Sequence, residues 1–284
     1  MDQPETSTGN GVLAAHAVLG KLNWALRSEP GDVRPHNEDC AGAYAPTTPD
    51  DAWDRGPLWV VADGLGGHAA GEVASRLTVD TMLATWSGGV PNAPAQSLRT
   101  AVRNANTAVV DAALEASKRG MGTTVTALTL AGREAVVAHV GDSRAYRVRG
   151  GECAQLTADH SRVGEMLRMK MITPEQAANH PARSMLTRSL GAQMTVQVDL
   201  VKDPIETGDV FVVCTDGLWD VVPRGDIAAV VAESAVTYEA ADRLVELALR
   251  RGSADNVTCV VVRVSSDLPI PAAGPRRSFF RRGR

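Results

Sequence analysis

The stretch Leu58–Gly71 reads LWVVADGLGGHAAG: five apolar residues, an Asp-Gly pair, then glycines leading into a helical pattern. A strand that is apolar at every position, with no alternation, must be covered on both faces. The runs VFVVC at 210–214 and VTCVVV at 257–262 carry the same signature. Most connections between strands are too short for crossover helices, which disfavours a parallel doubly wound sheet. Two antiparallel sheets packed face to face with helices outside satisfy both observations. The expected class is α+β.

Upstream of Leu58, residues 1–21 read as a loose arm, and a first strand is expected from Asn23 in NWALRS to the turn EPGD. RPHNEDCAGAY then leads into a second strand. Downstream, Val79, Met82, Leu83 and Trp86 repeat at helical spacing, as do Leu98, Ala101, Val102 and Ala105, with Ser97 as the cap of the second helix and Gly120 as its stop. TTVTALTL, EAVVAHV and SRAYRVR, separated by short turns, predict one antiparallel meander. Arg162 to Ala182 reads as a polar, methionine-bearing helical insertion with a second start at Pro174. MTVQVDL, DVFVVCTDG and NVTCVVVRV are the remaining strands. A helix pair separates the last two, its second member keeping Ala241, Leu244, Val245 and Ala248 in register and closing at Gly252.

GLGGHA at 64–69 matches the dinucleotide pattern G-x-G-x-x-A, follows a strand and opens a helix. The surrounding order is not β-α-β, however, and Asp63 would set negative charge against a pyrophosphate. FVVCTDGLWD explains the acid better, because it repeats the arrangement with Asp216-Gly217. Glu38 and Asp39 in NED, Asp142 in GD and Asp255 in ADN stand at the same kind of place. Acids gathered at strand ends repel one another unless cations lie between them. Carboxylates and carbonyls without a Cys or His cluster suit Mg²⁺ or Mn²⁺ better than Zn²⁺. Any one of these acids is more simply a turn or cap residue; five sites together are not. Arg34 adds a planar cation able to hold two phosphate oxygens, which points to a phosphorylated substrate.

Composition narrows the field. The 284 residues carry 29 basic and 33 acidic side chains, a net charge of -4 that gives no reason to expect nucleic acid. The cysteines, Cys40, Cys153, Cys214 and Cys259, stand singly with no C-x-x-C pair, as reduced thiols of a cytoplasmic protein do. No run is long enough for a transmembrane segment, and the polar, acidic start is unlike a secretory signal.

The chain resembles the metal-dependent Ser/Thr protein phosphatases of the PPM, or PP2C-like, type in their bacterial form. The likeness runs in order from Asn23 to Val264 through RPHNED, VVADGLGGH, GMGTTVTAL, AHVGDSRAYRV, LTADHS, RSLG, CTDGLWD and ADNVT. It implies a PP2C-like sandwich of two antiparallel sheets flanked by helix pairs over residues 22–265, with a variable flap at 160–190. It also implies two Mn²⁺ or Mg²⁺ ions. Asp63 would bridge both, Gly64 would give one its carbonyl, and Asp216 and Asp255 would hold the other. Glu38 and Asp39 would lie on the site directly or through water, and Asp142 would help bind a third ion. The implied reaction is that of a phosphoric monoester hydrolase: a water shared by two ions about 3.5–4 Å apart attacks a phosphoserine or phosphothreonine phosphorus in line. Arg34 offsets charge on the phosphoryl oxygens. Some relatives carry a His after the Asp-Gly as a general acid; here that residue is Leu65, and His68 is not given the role. Two other readings stay open, a phosphatase for small phosphomonoesters and a catalytically silent regulatory member of the fold.

The expected partners are phosphorylated proteins, among them a Ser/Thr kinase, and the protein itself is expected to act as a monomer. Residues 266–284 read as a Pro/Arg-rich disordered tail, with five arginines between Arg276 and Arg284 and Phe279 and Phe280 among them. Contact with an anionic membrane surface or an acidic partner is the alternative reading.

Overall fold

A computed structural model of the chain describes residues 5–9, 12–19, 22–45, 56–65, 70–88 and 93–264. The chain lays down β1 (Glu5–Gly9), β2 (Val12–Leu19), β3 (Leu22–Glu29), β4 (Cys40–Tyr44), β5 (Leu58–Ala62) and the short β6 (Gly64–Leu65), then helices α1 (Ala70–Gly88) and α2 (Pro94–Ala112). The strands β7 (Gly122–Thr123), β8 (Val125–Ala131), β9 (Glu134–Val140), β10 (Arg144–Arg149) and β11 (Glu152–Gln155) follow. After α3 (Arg162–Arg168) and α4 (Pro174–Ala178) come β12 (Asp199–Pro204), β13 (Val210–Cys214), α5 (Asp216–Trp219), α6 (Arg224–Glu233), α7 (Thr237–Arg250) and β14 (Val257–Val264).

Seven strands form one sheet in the order β1-β2-β3-β14-β13-β10-β11, and five form the other, β12-β9-β8-β5-β4. The unbroken apolar runs have the double burial they require. Along β5, Leu58, Val60 and Ala62 pack against α1 and α2, while Trp59 and Val61 face the opposing sheet. Along β13, Val210, Val212 and Cys214 face α6 and α7, and Phe211 and Val213 meet the other sheet. Trp24 and Trp59 join the sheets edge to face, 6.5 Å between ring centroids. The layers are therefore helix, sheet, sheet, helix.

Four expectations need correction. TTVTALTL, EAVVAHV and SRAYRVR do not form one meander: β8 and β9 pair in the five-stranded sheet, but β10 crosses over and pairs with β13 and β11 in the other. Glu5–Gly9 and Val12–Leu19, the described parts of the expected loose arm 1–21, are strands, with β1, β2 and β3 pairing in succession onto β14; Asn10-Gly11 in the sequence is a strong hairpin signal. The strand sought in MTVQVDL begins only at Asp199; at the start of that stretch Asn106 Nδ2 of α2 instead donates to the carbonyls of Gln193 and Met194 at 3.0 and 3.3 Å. Finally, α2 starts at Pro94 and not behind Ser97, as suits a proline whose missing N–H costs nothing in a first turn. The Pro/Arg-rich tail lies outside the described residues.

Trp59 is fully buried between the sheets, so Trp59→Ala should cost about 3–5 kcal/mol in denaturant unfolding. Leu114→Ala, at a side chain 79% exposed, should stay within about 0.5 kcal/mol of wild type.

Candidate metal and phosphate site

The acids converge because strand ends from both sheets meet at one end of the sandwich. Glu38 and Asp39 precede β4, Asp63 follows β5, Asp142 joins β9 to β10, Asp216 opens α5 beyond β13, and Asp255 precedes β14. Antiparallel pairing sets Cys40 opposite Ala62 and Cys214 opposite Cys259, which brings these ends together. Arg34, Glu38, Asp63, Gly64, Asp142, Asp216 and Asp255 line one pocket of about 720 Å³. Asp39 stands behind that wall, 8% exposed, its Oδ2 accepting from Thr215 Oγ1 at 2.8 Å. His68 lies outside the described residues.

The glycine of each Asp-Gly pair answers a close backbone crossing. A Cβ on Gly64 would fall 2.3 Å from the Gly71 carbonyl oxygen and 2.5 Å from that of Glu38; on Gly217 it would fall 2.0 Å from that of Asn256. Asn256 ties the crossing together. Its Oδ1 accepts from the Glu38 N–H at 2.8 Å, and its Nδ2 donates to the carbonyls of Pro30 and His36, both at 2.9 Å. The Asp63 N–H donates to Thr124 Oγ1 at 3.0 Å, and the Asp63 carbonyl accepts from Thr123 Oγ1 at 2.7 Å. Asn256, Thr123, Thr124 and Thr215 escaped the sequence reading. The Thr-Thr after GMG and the Asn after Asp255 were visible, but strand threonines and turn asparagines are common where no ligand binds.

Charge is the distinctive property of this pocket. Burial raises the Asp39 and Asp142 carboxyls each to about 7, Asp216 to about 6 and Asp63 well above the usual range. Mutual repulsion adds to burial: Asp216, Asp39 and Asp142 act on Asp63, and Asp255 acts on Asp216. Glu38 is also raised, by burial against the opposing pull of Arg34. Among these repelling acids, Asp216 Oδ1 is buried with no hydrogen-bond partner. Among the described residues no three His, Cys, Asp or Glu side chains close into a ready-made cage; the acids stand along the wall. An orphaned carboxylate oxygen among acids that repel one another is what a hard divalent cation would relieve, so these residues fit such an ion. Arg34 stands on the same wall with Nη2 on Asp255 Oδ2 at 2.7 Å. It is ion-paired, and half exposed at 48%.

The repulsion has a testable sign. A carboxyl whose folded pKa exceeds its unfolded value favours the fold while protonated; that contribution is complete below about pH 4 and is lost as pH rises through the folded pKa. His139, buried and pushed down to about 3, works in the opposite sense, but equally in a variant that keeps it. With chelator present, Asp63→Asn should therefore melt increasingly above wild type as pH rises from about 5 to about 8, and match it near pH 4. Thermal melts across this range decide, and a gap independent of pH would show that Asp63 carries no such charge burden.

Comparison with known proteins places the chain in a family. The family model described as protein phosphatase 2C matches residues 46–255. The chain is 36% identical over 242 residues to the serine/threonine phosphatase stp of Listeria innocua, covering 84% of this chain and 94% of that protein. It is 40% identical over 245 residues to the serine/threonine protein phosphatase PstP of Mycobacterium tuberculosis, a match over 86% of this chain and 45% of that longer protein. Among solved structures, the Mycobacterium tuberculosis PstP/Ppp crystal structure superposes with a TM-score of 0.76 at 39% identity, covering 86% of this chain and 99% of that one. A PstP catalytic domain in complex with two manganese ions gives 0.75 at 37% identity, covering 86% and 98%. With a family model across most of its length and relatives this similar, the chain belongs to the protein phosphatase 2C family of metal-dependent serine/threonine phosphatases.

Proposed function

We propose that the acid-lined pocket hydrolyses phosphoserine and phosphothreonine in proteins, with Mn²⁺ or Mg²⁺ as the metal. The observation that carries the reading is the unpartnered, buried Asp216 Oδ1 among mutually repelling acids, with Arg34 on the same wall. Asp63, the Gly64 carbonyl, Asp216 and Asp255 would hold two ions, Glu38 and Asp39 would support them directly or through water, and Asp142 would serve a third. When bound, such ions supply water activation near neutral pH and neutralise charge at the phosphoryl oxygens.

The chain's own residues do the rest. Arg34 would exchange its Asp255 partner for two phosphoryl oxygens, since a planar guanidinium presents paired donors. The Thr215 hydroxyl, donating to Asp39 Oδ2, orients the Asp39 carboxylate. No side chain is placed as a covalent nucleophile: Cys214 and Ser143 are both fully buried, Ser143 Oγ lying 2.6 Å from Thr124 Oγ1. Leu65, on the pocket wall after the Asp-Gly, offers no proton to a leaving group.

Protein substrates are favoured over small phosphomonoesters because the 160–190 segment, read as the flap, borders the pocket through Ser184 and Leu186. Arg183 of this segment is ion-paired with Asp220, at the end of α5. A Ser/Thr kinase among the substrates, action as a monomer and residence in the cytoplasm complete the proposal. For the last, the support is that all four cysteines are free and that no helix among the described residues is long and apolar enough to cross a membrane.

Phosphate release from phosphothreonine peptides should require Mn²⁺ or Mg²⁺, exceed release from sugar phosphates, and fall more than about 100-fold in Asp63→Asn, Asp216→Asn or Asp255→Asn. Full turnover after exhaustive chelation would defeat the proposal, and a preference for sugar phosphates would move it to small substrates. Arg34→Ala should raise KM for the peptide about tenfold, with Mn²⁺ affinity by calorimetry close to wild type. If metal affinity collapses while KM holds, Arg34 is a support for Asp255 and not a phosphate ligand.

A further inference from the structure

The turn that carries Asp142 from one sheet to the other is held at each successive peptide. The Gly141 N–H donates to His160 Nδ1 at 3.1 Å, and the Gly141 carbonyl accepts from the His160 N–H at 2.7 Å. One residue on, the Asp142 carbonyl accepts from the indole Nε1–H of Trp219 at 3.0 Å. The Ser143 carbonyl then accepts from Thr126 Oγ1 at 3.1 Å. With the peptides on both sides of Asp142 pinned, its Cα–Cβ direction is set and its side chain keeps little more than rotamer freedom.

Trp219 is the one member of this set that comes from the element bearing Asp216. Both lie on α5, the acid at its first residue and the tryptophan at its last, three apart and so on neighbouring positions of one helical turn. The indole is itself held. Arg144 lies over its ring, 3.4 Å from guanidinium carbon to centroid, and grips Asp159 with Nε to Oδ1 at 2.9 Å and Nη2 to Oδ2 at 2.7 Å. Such a stack on a bidentate arginine leaves the ring little room to tilt.

We infer that Trp219 is a positioning residue: its N–H, braced by Arg144, sets the separation of the Asp142 and Asp216 carboxylates, and with it the affinity for the cation that Asp142 serves. The inference rests on the reading of these two acids as metal-site residues. It adds a partner outside the ligand set, of the kind that orients a ligand without touching the ion.

Trp219→Phe leaves an aromatic face under Arg144 but removes the N–H together with the second ring, a loss of ring area that the control shares. Trp86→Phe is the control: it removes an indole N–H bonded to the Gly56 carbonyl at 3.2 Å, in the α1 and α2 layer away from the pocket. Amide exchange over residues 141–145 in chelator should speed about tenfold in Trp219→Phe, and kcat on a phosphothreonine peptide should fall about tenfold at unchanged KM. The weakest Mn²⁺ phase in calorimetry should weaken while tighter phases hold. In an Asp142→Ala background the same substitution should cost less than about twofold more, because the two act as a unit. Arg144→Lys, which loses the planar stack and the bidentate pair, should give the same pattern from the other face of the ring. Unchanged exchange would overturn the brace. Faster exchange with unaltered kcat and Mn²⁺ binding, or a full loss in the Asp142→Ala background, would reduce Trp219 to a structural residue and overturn the inference. A wild-type protein without Mn²⁺-dependent hydrolysis would defeat the phosphatase reading instead, and exchange with Mn²⁺ calorimetry would still decide the brace.

Discussion

The crowding of buried like charges at one end of the sandwich is the constraint on which the rest of the structure depends. Two carboxylates about 4 Å apart repel by about 4 kcal/mol at the effective dielectric of a protein surface, and each fully buried Val, Leu, Ile or Phe side chain returns about 1.5–3 kcal/mol. A few core side chains therefore outweigh one repulsive pair. The doubly buried strands β5, β13 and β14 supply many more than a few. The pocket stays intact because the acids sit at the ends of the most deeply packed strands, where the backbone has no freedom to carry them apart.

Topology decides which acids meet. The chain changes sheets between β3 and β4, with Arg34, Glu38 and Asp39 in the connection, and again between β9 and β10, at Asp142. Asp63 leaves the five-stranded sheet, while Asp216 and Asp255 flank paired strands of the seven-stranded one. A pocket on the seam between two sheets can collect charge from both, which no single sheet edge could do. The same seam demands close backbone contact, and Gly64 and Gly217 supply it by having no Cβ.

Much of this was legible in the residues. Apolar runs without alternation announced strands covered on both faces, and repeated Asp-Gly after such runs announced acids at strand ends. The pattern could not say which sheet each strand joins. SRAYRVR reads as the next strand of a meander, and only the pairing of Tyr146 with Val212 reveals the crossover. Nor could it foresee that Arg34 rests on Asp255, 221 residues away in the chain. Residues that hold the acids from behind, such as Asn256, Thr215 and Trp219, act through contacts distant in sequence and carry no local signature. The strand pair near the start carries its signal in Asn10-Gly11, but the residues around it are polar enough to read as a loose arm.

The central claim is that the repelling acids form a cation site, and anomalous scattering from crystals grown with Mn²⁺ tests it most directly. Strong Mn²⁺ peaks are expected inside the pocket, within ligand distance of the Asp63, Asp216 and Asp255 carboxylates. Peaks absent from the pocket, or bound elsewhere on the surface while the acids stay unliganded, would contradict it.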